Sequence, residues 1–181
     1  MAGNPVLGFL SVQPTGDGPH ATVTKMLRLL GILVLVGFAV SVLGALLQIA
    51  LGTAYMDTGV AAANTASAII GLVIGGAIAA AVCFWITYTI NAWTTGQPNG
   101  ATHALVIAIL ATVFGVLGVL GGLMGFGLGV ALFGAGVSVF ATVVGVLSLL
   151  VAAGEAYCGI MILTNRSKAT AGSGAPVGAT N

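Results

Sequence analysis

Charge is nearly missing from this sequence. Four Lys or Arg and three Asp or Glu among 181 residues make 4%, where a soluble domain carries about 25%. A water-soluble fold of this length must cover much of its surface with polar groups, and the supply is too small. Between Leu29 and Asn165 the only formal charges are Asp57 and Glu155. The net charge is +1, and the basic residues are confined to Lys25, Arg28, Arg166 and Lys168. They form no patch that neutralises phosphates, which excludes nucleic acid as a partner.

Reactive side chains are equally scarce. Cys83 and Cys158 each lie inside an apolar run, so the sequence holds neither a disulfide framework nor a C-x-x-C motif. His20 and His103 are far apart and have no acidic or thiol companion nearby, whereas a metal centre needs three or four convergent ligands. H-E-x-x-H and Gly-x-Ser-x-Gly are absent, as are paired acids. The glycine-rich stretch from Gly121 to Gly129 lacks the lysine of a phosphate loop. No catalytic residue, cofactor site or metal site is expected, and the chain is not expected to be an enzyme.

What is abundant is apolar: 59% hydrophobic residues and a mean hydropathy of +1.19. The solvent for most of this chain is therefore the lipid bilayer. A membrane span takes about 20 apolar residues. The pattern predicts an all-α polytopic membrane protein with four transmembrane helices, at about 26–51, 66–90, 104–125 and 137–163. The last two share roughly 60 residues, or roughly 90 Å of helix, which suits two spans and a short reversal. That reversal is expected within Gly125 to Gly136, since glycine tolerates tight-turn backbone angles.

Orientation follows from the basic pairs. Lys25 and Arg28 precede the first span and Arg166 and Lys168 follow the fourth, which places both termini in the cytoplasm and requires an even number of spans. Trp85, Tyr88, Trp93 and Tyr157 fall near the cytoplasmic ends, where amphipathic rings anchor at the interface. The first apolar core, of about 19 residues, exceeds the roughly 7–15 of a cleaved signal. The expected organisation is a flexible cytoplasmic arm (1–24), a transmembrane domain (25–164) and a flexible cytoplasmic tail (165–181). The stretch beginning at Phe38 (FAVSVLGALL) resembles, with one gap, that beginning at Phe114 (FGVLGVLGGLM), and Cys83 and Cys158 follow at nearly the same spacing. This similarity is compatible with two tandem helical hairpins.

Two features carry the functional expectations. Gly115, Gly118, Gly122, Gly125 and Gly129 repeat with alternating steps of three and four, and Gly71 and Gly75 give a shorter version in the second span. Such a face lets another backbone approach closely, which matters because lipid offers no hydrophobic drive for helix association. It serves either packing within the bundle or docking of a subunit. Glu155 is the only acid deep in a span, about 12 Å along the helix from Leu163. A charge at a span centre costs about 2.5–3.5 kcal/mol on insertion scales, so Glu155 is expected to be protonated, paired or facing a wet cavity. Arg28, His103, Tyr88 and Asn91 are its candidate partners, with Glu155, His103 and Tyr88 as the candidate polar site.

A glycine-rich helix followed by an acidic one resembles the hairpin of rotary ATPase proteolipids over Gly115 to Leu163. Those hairpins turn through a polar cytoplasmic loop, whereas this segment is apolar in its middle, and that identification is excluded. In general texture the chain is similar to small four-span proteins of high-GC bacteria, which implies a bacterial cell membrane and no particular activity. The leading expectation is a non-enzymatic accessory or assembly component, associating with itself or with a larger membrane complex. The alternative is a small transporter or channel subunit that uses Glu155 in a proton or cation path.

Overall fold

The computed structural model describes residues 6–14, 16–55, 57–133 and 139–172, with the side chains of 51, 55, 125–133, 139, 140 and 172 aside. Among these residues the fold is all-helical: α1 (Pro19–Tyr55), α2 (Thr58–Thr94), α3 (Pro98–Phe133) and α4 (Val139–Gly172). All four contain stretches long and apolar enough to cross a membrane. At 34 to 37 residues each helix runs about 50–55 Å, well beyond the roughly 30 Å hydrocarbon core. The ends therefore continue past the apolar segments that hydropathy marks.

Local chemistry explains the longer helices. Pro19 and Pro98 open α1 and α3, the first-turn position where a missing N–H is harmless and φ is already helical. The carbonyl of Gly18 accepts from the Thr22 N–H at 2.9 Å. At the end of α2, Gly96 takes φ 69°, and the Gln97 N–H reaches back to the Ala92 carbonyl at 2.9 Å, closing the helix with a left-handed residue as glycine permits. The connections shrink accordingly. Only Met56 and Asp57 separate α1 from α2, and only Thr95, Gly96 and Gln97 separate α2 from α3. Of the stretch Gly125 to Gly136 in which the reversal is expected, α3 takes the residues up to Phe133, and residues 134–138 lie outside the described residues. A run of glycine without polar neighbours does not stop a helix in an apolar setting.

Helix α1 packs between α2 and α4, and α3 packs on α4; of the four neighbouring pairs, α2 and α3 touch least. The fully buried core lies toward the end that holds the α2–α3 turn. There Leu27, Ile86, Ile90, Ile162, Cys83 and Cys158 are at 0% exposure. In a bilayer this core gains little from leaving water; its advantage is dispersion between close-packed atoms.

The stretch expected as a free arm also joins this core. Gly8–Leu10 forms a 3-10 turn, Phe9 is completely buried, and its ring lies against Gly31 of α1. The Phe9 N–H donates to Thr87 Oγ1 at 3.3 Å, and the Leu10 and Ser11 N–H groups bond within the turn. Non-helical backbone beside membrane helices persists only with its polar groups satisfied in this way. At the other terminus α4 continues into the expected tail as far as Gly172. There the Arg166 Nε donates to the Ala101 carbonyl at 2.6 Å.

Candidate functional site

A cavity of about 620 Å³ lies among all four helices. Its origin is a set of small residues facing inward at similar depth: Gly37 and Ser41 on α1, Gly75 and Ala79 on α2, Ser148 and Ala152 on α4, with Gly118 on α3. A four-residue step keeps each pair on one helix face. Phe38, Phe114 and Trp85 contribute aromatic walls. Glu155 is the only ionisable residue in the lining among the described residues. Beside it along α4, Gly154 faces Leu33 of α1, and Ala152 and Ala156 face Gly115 of α3.

Glu155 is half-buried and forms no hydrogen bond or ion pair with the described residues; the ion pair found among them joins Lys25 to Asp17 at 3.7 Å. None of its expected partners reaches it. The Arg28 Nε is buried without a partner, and Asn91 is exposed. His103 and Tyr88 do come together, edge to face at 5.3 Å, but neither lines the cavity. The Trp85 Nε1–H donates to His103 Nδ1 at 3.0 Å. Because an indole only donates, Nδ1 must accept, which fixes His103 as the neutral tautomer protonated at Nε2. Asn99 Nδ2 in turn donates to the Tyr88 hydroxyl at 2.7 Å. The expected trio thus divides into a structural cluster bridging α2 and α3 and a lone carboxyl group inside the bundle.

The glycines divide too. A Cβ placed on Gly115 would lie 2.5 Å from the Ala156 backbone nitrogen and 2.7 Å from the Ala152 carbonyl oxygen. On the opposite helix, one on Gly159 would meet the Ala108 carbonyl at 2.6 Å. Here α3 and α4 approach backbone to backbone. Gly118 and Gly122 face Ala152 and Leu149 of the same partner helix. Gly71 and Gly75 have open space where a Cβ would stand. Gly125 lies within α3, but its surroundings fall outside the described residues.

Two features escaped the sequence reading. Gln48 and Asn64 form a reciprocal pair: Gln48 Nε2 donates to Asn64 Oδ1 at 2.7 Å and Asn64 Nδ2 to the Gln48 carbonyl at 2.9 Å. This joins α1 to α2 near their short connection. Trp93, expected as an interfacial anchor, is only 6% exposed and stacks on His20 at 4.8 Å. Its Nε1–H donates to the His20 carbonyl at 3.2 Å. An amide pair in an apolar sequence and an aromatic beside a glycine-proline segment were the available signals.

Among the described residues no three His, Cys, Asp or Glu side chains converge as metal ligands. No family model, curated protein or solved structure matches the chain.

Proposed function

We propose that this chain is a small, non-enzymatic membrane transport or channel subunit in which Glu155 receives a cation or proton. The observation that supports this reading is the cavity reaching a carboxyl group that has no partner among the described residues. Leaving an acid unpaired in an apolar bundle is costly, and intramembrane ionisable groups commonly mark ion or substrate routes. A structural ion pair would have placed Arg28 or another donor against it.

The test is flux in reconstituted vesicles. Glu155→Gln keeps the shape but cannot ionise; it is expected to fold normally and lose Glu155-dependent cation or proton flux. Glu155→Ala is expected to be nearly neutral for stability, because no protein partner is left behind. A parent protein that moves neither protons nor cations would end this reading.

A second reading keeps the accessory or assembly role, with a second copy or a larger membrane complex as partner. The open position at the exposed Gly71 on α2 favours it, since small residues on an outer face permit close helix docking. In either reading the basic pairs favour both termini on the cytoplasmic side, and the membrane is proposed to be a bacterial cell membrane. Single cysteines at Ser11, Thr58 and Gln97, with Cys83 and Cys158 replaced by Ala, test this. Labelling of Thr58→Cys alone from outside is the expected result, and outside labelling of Ser11→Cys would reverse the orientation.

A further inference from the structure

We propose that the cavity binds a lipophilic organic cation, an ammonium or phosphonium bearing bulky apolar groups, which enters from the lipid between α2 and α3 and sets its charge against Glu155. This inference rests on the proposed role of Glu155 and names the class of cation.

The lining selects against a small inorganic ion. Ion pathways replace a hydration shell with rings of carbonyls or charged groups, and the described lining of this cavity offers one carboxyl group. The Ser41 hydroxyl donates to the Gly37 carbonyl at 2.9 Å, and that of Ser148 to the Val144 carbonyl at 2.9 Å. The Trp85 N–H is committed to His103. What remains in the described lining is aliphatic side chains, the aromatic rings of Phe38, Trp85 and Phe114, and one acid. A cation with apolar substituents matches all three, because aromatic faces attract cations and the acid supplies the counter-charge. An anion is repelled, and a neutral molecule leaves the acid without a partner. The volume, about 620 Å³, lies in the range of small-molecule sites, about 300–1,000 Å³.

The route is set by how the helices close. On the α1–α4 side, Gly37 faces Val151 and Gly154 faces Leu33, and the lining residues Leu30, Val40 and Ala152 are 3%, 6% and 8% exposed. Across from them, Ile78 of α2 and Phe114 of α3 also line the cavity but are 59% and 63% exposed. These two residues flank a lateral mouth that opens where the acyl chains lie, which is also where lipophilic cations concentrate.

The experiment measures equilibrium binding of radiolabelled tetraphenylphosphonium to the full chain in phosphatidylcholine nanodiscs, with empty nanodiscs as the partition control. Tetraphenylborate, similar in shape and opposite in charge, is the competitor. Expected are saturable binding, no competition by the borate, and at least about tenfold weaker binding by Glu155→Gln, or about 1.4 kcal/mol. Ala79→Phe, which fills the cavity, is expected to abolish binding; thermal melting establishes that each variant folds, and Glu155→Gln suffices should Ala79→Phe not fold. Absence of saturable binding, displacement by the borate, or undiminished binding by folded Glu155→Gln would each overturn the inference. Glu155-dependent proton or potassium flux without phosphonium binding would overturn it and leave the transport role standing. Glu155-dependent binding without any flux would support it and remove the transport role.

Discussion

Helix α3 has two neighbours and meets them in opposite ways. Against α4 it presents Gly115, and α4 presents Gly159 in return, so the two backbones touch. Against α2 its contacts cluster near the turn, through Gly100 against Ala92 and the Trp85–His103 hydrogen bond. Farther along, Phe114 and Ile78 stand exposed at the mouth of a cavity. In water such a gap would be closed by hydrophobic collapse. In lipid an open apolar gap is filled by acyl chains at little cost, so only backbone-close packing or specific polar links hold helices together. The contrast shows how a chain of nearly uniform hydrophobicity still builds one rigid seam and one accessible one.

The largest expected effect lies in the rigid seam. Gly115→Leu and Gly159→Leu force side chains into the backbone of the facing helix, where no rotamer change relieves the clash. Overpacking typically costs about 1–3 kcal/mol and sometimes more, and these two positions belong at the upper end. Gly118→Leu and Gly122→Leu, which meet the side chains of Ala152 and Leu149, are expected to cost less. Gly121→Leu faces open space and is expected to change stability by less than about 0.5 kcal/mol. Leu117→Ala and Leu120→Ala remove side chains more than half exposed and belong with it. Unfolding in mild detergent ranks the series; equal stability of Gly115→Leu and Gly121→Leu would remove the backbone-close seam.

A smaller effect is expected at the open seam. Trp85→Phe keeps a ring on the cavity wall but leaves His103 Nδ1 without its donor. Hydrogen bonds between membrane helices average about 0.6 kcal/mol in double-mutant cycles, and a cycle with His103→Ala should return a coupling of that order. A coupling near zero would mean that this hydrogen bond does not help hold α2 to α3.

The two seams were unequally legible. Composition, span length and basic pairs foretell four helices because hydropathy reports directly on the solvent of each segment. The 3-4 glycine spacing marks a close-packed face, yet spacing does not say which helix lies opposite, and the matching Gly159 stands in a helix without that spacing. The cavity was written in small residues on all four helices, but Gly75 or Ser148 reads equally well as packing until the facing side chains are known. Glu155 stood out as the lone deep acid, whereas its separation from His103 and Tyr88 depends on which helix faces each occupies. Phe9 was hidden by its setting. Prolines and glycines around an apolar cluster look like a linker, and only the fold shows Gly31 and Thr87 waiting to receive it.

The smallest intrinsic effect is expected on the outer face of α2, and it sharpens the contrast most. Gly71 has nothing within contact of a Cβ, and its neighbours Ile70, Val73 and Ile74 are each more than half exposed. In the isolated protein Gly71→Leu therefore adds an apolar side chain to a surface already solvated by lipid. Its stability in detergent should match the parent within about 0.5 kcal/mol, unlike Gly115→Leu. The same substitution discriminates the assembly role. If α2 docks closely on a second copy or a larger membrane complex, the added side chain separates the backbones, and association is lost while folding is kept. Native mass spectrometry after mild extraction reads this directly. An unchanged assembly in the Gly71→Leu variant would leave α2 facing lipid and remove this face from the accessory reading.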